Sequence, residues 1–150
     1  MKFQPYFGFV LFCLSLNVHA ATSMSAIDAV KSIKQEFLGY NNFSGSDNNG
    51  NKCKITIVDL EINFSGIQVR ITDNLNKIVA AVSIDSNLLS VAKTVRKLSN
   101  QTINLYEIYD SEIKDSSLIA ISHHEDVLDF DLVLMPSVLK NKHVTCSYIE

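Results

Sequence analysis

The chain is 150 residues long, 47% hydrophobic and 19% charged, with a formal net charge of −3. That is enough chain for one domain with a sizeable core. Its weak acidity argues against nucleic acid or an anionic membrane surface as the main partner, because both reward a basic face.

The first predicted element is an export signal over residues 1–20. Lys2 stands in a start without acids, and an apolar run follows from Tyr6 to Leu16. Val18 and Ala20 are the third-last and last residues before a cut after Ala20, where shallow peptidase pockets need short side chains. Together these features define a secretory signal peptide. The run is well short of the roughly 20 residues that a membrane-spanning helix needs. Cys13 does not make a lipoprotein site, because Phe12 precedes it and the apolar run continues past it. The expected product is residues 21–150, a single exported domain, secreted or periplasmic, without stable membrane insertion.

Cys13 leaves with the signal. Cys53 and Cys146 remain, an even pair in an oxidising compartment, and a disulfide between them is expected. Closing so long a loop stabilises a fold by about 4 kcal/mol at best on chain-entropy arguments.

From Ser25 the spacing predicts an amphipathic helix over residues 26–38. Ser25 caps it, with Asp28 three residues on, near a capping-box arrangement. Ile27, Val30, Ile33 and Phe37 form the apolar stripe, while Lys31, Lys34, Gln35 and Glu36 take the outer face. Gly39 is the stop. Residues 41–52, dominated by Asn, Ser and Gly, read as a loop. From Cys53 the period changes to two. Cys53, Ile55 and Ile57 make one strand, Ile67, Val69 and Ile71 a second, and Ile78, Ala80, Val82 and Ile84 a third. The Asn- and Gly-bearing bends between them predict antiparallel hairpins.

Residues 86–99 fit a helix through Leu88, Val91, Ala92, Val95 and Leu98, with Lys93, Arg96 and Lys97 as a small basic face. A strand is the competing reading, because Val91, Thr94 and Val95 are β-branched. Three further strands are expected over 102–109, 117–122 and 127–135, the last two joined at His123-His124-Glu125-Asp126. Leu128, Phe130, Leu132 and Leu134 then face in, Asp129 and Asp131 face out, and Pro136 ends the strand. A last strand, 143–149, turns Val144, Cys146 and Tyr148 to one face. The sum is an α+β fold, an N-terminal amphipathic helix packed on an antiparallel sheet of six to seven strands. If 86–99 is a strand, the alternative is a β-sandwich or barrel with one flanking helix.

Few residues suggest chemistry. His123, His124 and Asp126 at the expected turn are the candidate metal ligands or acid–base groups, with His143 elsewhere. A polar, solvated turn is the simpler reading of them. Asp129 and Asp131 read as solvated acids on a strand face. The Asp47–Asn51 run fails the calcium-loop register, because Gly50 comes early and Val58 stands where the last acid belongs. No nucleophile elbow, phosphate loop or dinucleotide fingerprint is present, and no cofactor is expected. Asn42, Asn63 and Asn100 sit in glycan acceptor triplets, a number that chance explains in so Asn-rich a chain. The chain lacks both a lipocalin's tryptophan and the Gln-x-Val-x-Gly turn of the cystatins. The functional expectation is an exported, non-catalytic binding or interaction module for an unknown ligand or protein partner. The alternative is a small secreted hydrolase or metal-dependent enzyme using His123, His124 and Asp126. The first predicts a concave apolar pocket or an exposed apolar patch; the second predicts perturbed titration in a cleft.

Overall fold

A computed structural model describes residues 20–61, 65–85, 89–124, 129–140 and 142–149. The expected signal peptide, apart from Ala20, lies outside them. Among the described residues the chain forms one α-helix, a single 3-10 turn at Ser137–Leu139 and ten strands. In chain order these are β1 (Thr22–Met24), α1 (Ala26–Glu36), β2 (Asn42–Ser46), β3 (Lys52–Glu61), β4 (Ser65–Thr72) and β5 (Ile78–Ile84). Then come β6 (Leu89–Leu98), β7 (Gln101–Asp110), β8 (Asp115–His124), β9 (Phe130–Met135) and β10 (Val144–Tyr148). The strands make one sheet in the order β1-β6-β7-β8-β9-β10-β2-β3-β4-β5, with every pairing antiparallel. No helix among the described residues is long and apolar enough to cross a membrane.

The period-two patterns become continuous rows across the sheet. Ile57, Val69 and Val82 pair in register, as do Ile55, Ile71 and Ala80, and all six side chains are buried. A second set of rows runs Val95, Asn104, Ile121, Leu132 and Cys146 across β6 to β10. The sheet folds back on itself, so that β5 touches β8 and β9, and α1 touches β4, β5 and β6. The core lies inside that fold. Asp residues close the tight bends: Asp47 Oδ1 accepts from the Asn49 and Asn51 N–H groups, and Asp73 Oδ1 from those of Leu75 and Lys77. Such side-chain-to-backbone bonds satisfy donors that a tight turn would leave unpaired.

The sheet's weakest seam is β10 against β2. Among the described residues it has one paired position, Ser147 with Ser46. The Cys53–Cys146 disulfide spans this seam, with the two Cα atoms 6.1 Å apart. Gly45, opposite Cys53 on β2, makes the crossing possible. A Cβ there would stand 2.1 Å from the Ser147 carbonyl oxygen and 3.3 Å from Cys146 Sγ, so only glycine fits.

Several expectations need correction. The sheet has ten strands, not six to seven, and the helix follows a short strand rather than leading the fold. Residues 86–99, read first as a helix with a strand as the competing reading, hold β6, which is paired along its length with β7, so the competing reading is the right one there. Residues 41–52, read as a loop, contain β2, because β3 offers a full pairing edge that compensates for the weak strand propensity of Asn-Phe-Ser-Gly-Ser. His123 and His124 are the last residues of β8 rather than a turn. The helix is capped as expected, with Ser25 Oγ accepting from the Asp28 N–H at 3.1 Å. It ends through left-handed Leu38 and Gly39. Its buried stripe is rotated, however. Ala26, Ala29, Ile33 and Phe37 are buried, whereas Ile27 is 45% exposed.

Candidate functional site

The rotation of α1 turns Ser32 and Glu36 toward the inner face of β6, β7 and β8. There the sheet presents polar groups at inward positions: Lys93 on β6, Asn104 and Tyr106 on β7, and His123 on β8. Glu36 collects four of them. Its Oε1 accepts from the Tyr106 hydroxyl at 3.0 Å and from Lys93 Nζ at 3.4 Å. Its Oε2 accepts from Asn104 Nδ2 at 3.0 Å and pairs with His123 Nε2 at 2.8 Å. Only 13% of the Glu36 side chain is exposed.

Burial alone would raise the Glu36 pKa. The hydrogen bonds from His123 and Tyr106 and the charges of Lys93 and His123 outweigh that and hold it below its ordinary value. The carboxylate is therefore ionised and accepts only. Every partner must donate, and this fixes the direction of the network. Tyr106 gives its single proton to Glu36, so the 2.8 Å bond between Ser32 Oγ and Tyr106 is donated by Ser32. Ser32 in turn accepts from Lys93 Nζ at 2.9 Å. On the same logic His123 carries a proton on Nε2, which leaves Nδ1 as the acceptor whenever the ring is neutral. Burial pulls the Lys93 pKa down, but Tyr106 and Glu36 more than compensate and raise it. The ammonium also lies 5.0 Å from the centre of the Tyr106 ring. Burial, first among the causes, raises the Tyr106 hydroxyl. A protonated Lys93 cannot serve Ser32 as a base, and an ionised Glu36 cannot serve as a general acid. The network orients its side chains around the ionised Glu36.

One side of that network opens into a cleft of about 620 Å³. Glu36 and His123 form its polar wall. The end of α1 and the segment after it contribute Phe37, Leu38 and Tyr40, β2 contributes Phe43, β9 Phe130 and β10 Tyr148. The rings pack edge to face. Phe43 stands 4.9 Å from Phe130 and 5.1 Å from Tyr148, and Phe37 stands 5.3 Å from Phe130. Phe37 and Phe130 are buried and make the floor, whereas Tyr40 and Leu38, at 67% and 65% exposed, make the rim. His123 is 6.0 Å from the Phe130 ring, so the imidazole joins the polar wall to the aromatic one. The cleft lies where β10 and β2 part company beyond their single paired position.

Of the residues singled out in the sequence, His123 is in this cleft. His124, the next residue on β8, lies 3.5 Å from Asp131 instead. Asp126 lies outside the described residues. His143 precedes β10 and is exposed. Among the described residues no group of three or more His, Cys, Asp or Glu side chains is placed to hold a metal ion. Lys93 belongs to the Glu36 network, whereas Arg96 and Lys97 are exposed on β6. Glu36, Tyr40, Phe43, Asn104 and Tyr106 were not picked out from the sequence. Two signals were available: aromatic residues recur at 37, 40 and 43, and the inward positions of β7 carry Asn104 and Tyr106 among apolar neighbours.

No protein-family model, curated protein or solved structure matches the chain.

Proposed function

We propose that the chain is an exported, non-catalytic binding protein whose ligand enters the aromatic cleft beside Glu36 and His123. The observation that carries this reading is the cleft itself: a concave, largely aromatic surface with one oriented imidazole. Binding sites for organic ligands combine an apolar lining with a few placed polar groups in this way. Tyr and Phe supply contact area at a low entropy cost because each has only two side-chain torsions. The polar network behind the cleft supports the binding reading, because Tyr106, Lys93, Asn104 and His123 all turn donors to Glu36 and so fix the imidazole at the wall of the cleft. Export rests on the sequence of residues 1–20, and the disulfide is compatible with an oxidising extracellular compartment.

The test is a fluorescence titration with N-phenyl-1-naphthylamine, a neutral apolar dye that brightens in an apolar site. Saturable binding by the folded protein, weakened about ten-fold or more in Phe43→Ala, is the expected result. Absence of saturable binding, or equal binding by Phe43→Ala, contradicts the reading.

A further inference from the structure

We infer that the partner at this cleft is an extended peptide segment, which adds itself as a strand along the outer edge of β2. The inference rests on the binding reading above and gives it a ligand class. It starts from the parity of the β2 backbone. The Ile57 N–H donates to the Asn41 carbonyl at 2.9 Å, and the Asp47 N–H donates to the Asn51 carbonyl at 2.8 Å. In the β2–β3 register, residues 41, 43, 45 and 47 therefore point their backbone groups at β3. Asn42, Ser44 and Ser46 point theirs the other way. Ser46 meets Ser147 of β10 there, which confirms the parity. Asn42 and Ser44 are exposed, and among the described residues no strand pairs with their outward side. Two N–H and two C=O groups thus face out along an extended edge, directly beside the cleft that Phe43, Phe130 and Tyr148 line.

An edge of this kind is complementary to one chemistry, a backbone with the same alternation of donors and acceptors. A small apolar molecule would fill the cleft and leave the edge hydrated. A peptide engages both. Its backbone exchanges hydrogen bonds with Asn42 and Ser44, and a side chain at an alternate position drops among the aromatic rings. The expected recognition element is therefore short, linear and extended, with an aromatic or branched aliphatic residue as its anchor. It carries no proline at the positions that face β2.

The test selects linear, cysteine-free peptides from a displayed random library on the full exported chain, then resynthesises the strongest binder with single N-methyl groups along its length. Strand addition predicts that N-methylation at alternate residues weakens binding about ten-fold or more, while the residues between tolerate it. Ser44→Pro in the protein should weaken the unmodified peptide similarly, because it removes an outward N–H without touching the β3 ladder. The N-methyl series uses unaltered protein, so it decides even if that variant misfolds. Failure to enrich any linear peptide, or uniform tolerance of N-methylation, overturns strand addition. If the naphthylamine dye still binds in that case, the cleft reading stands without the peptide; if the dye fails too, both fall.

Discussion

The two flanks of α1 are packed by different means, one fully buried and one partly buried. One flank sets Ala26, Ala29, Ile33 and Phe37 against the inside of the folded sheet, all at 4% exposure or less. The other sets Ser32 and Glu36 against Lys93, Asn104, Tyr106 and His123. Apolar burial stabilises in proportion to area and is indifferent to orientation. The polar flank contributes less net energy, because each hydrogen bond replaces one to water. What it provides is direction, since an ionised acceptor with four donors has one arrangement that satisfies all of them. The apolar flank holds the helix on, and the polar flank fixes His123 at the wall of the cleft.

That contrast breaks first at Ile33. Ile33→Ala leaves a cavity under the helix and should cost about 2–5 kcal/mol in urea unfolding, with an unchanged denaturant slope. A loss below about 1 kcal/mol would mean that the apolar flank is not what fastens α1.

Glu36→Gln is isosteric and tests the other flank. Its amide turns two donors toward the Asn104 and His123 side, so about 2 kcal/mol should be lost at neutral pH. A change within the ±0.5 kcal/mol typical of surface substitutions would show that water already satisfies the cluster.

Acid should separate the flanks further. Because the folded state lowers the Glu36 pKa, its stabilisation is complete above the unfolded value of about 4.3 and disappears as pH falls through the folded value. Lys93 runs the other way. Its raised pKa gives stability that is complete below about 10.4 and is lost as pH rises through the folded value. Thermal melts against pH should therefore show an acid limb that is shallower in Glu36→Gln and unchanged in slope in Ile33→Ala. Identical limbs in all three proteins would remove Glu36 from the account.

The smallest expected effect is at the cap. Ser25→Ala removes an acceptor from the first turn, costs about 1 kcal/mol, and should leave the pH profile alone because it favours neither flank. A shifted acid limb in that variant would tie the cap to the polar network.

The same polar flank explains which parts of the fold were legible in the sequence. β4, β5, β9 and β10 have apolar alternation on the inward side, as β3 does from Cys53 to Ile57, and they read directly as strands. The partners Cys53 and Cys146 were legible because only one pairing was possible. β6 read first as a helix, with a strand only as the competing reading, because Lys93 and Lys97 alternate with Val91 and Val95, break the apolar period of two and leave Val91, Val95 and Leu98 at helical spacing. Glu36 was assigned to solvent for the same reason: a charge on a helix normally faces water, and the groups that neutralise it here are 57 to 87 residues away. β2 was missed because its strand character is borrowed from β3, and because Gly45, which looks like a loop residue, answers the close approach of Ser147. Strand character that depends on a neighbouring strand, or on a distant carbonyl such as that of Ser147, leaves little trace in local composition.

Binding at the cleft between the end of α1 and strands β2, β8, β9 and β10 is what the proposed function requires. The most direct measurement is an amide ¹H–¹⁵N map recorded while N-phenyl-1-naphthylamine is titrated into the protein. Saturating shifts concentrated at Tyr40, Phe43, His123, Phe130 and Tyr148 are expected. Shifts centred instead on the outer faces of β4 and β7, or no saturating shifts at all, would contradict that function.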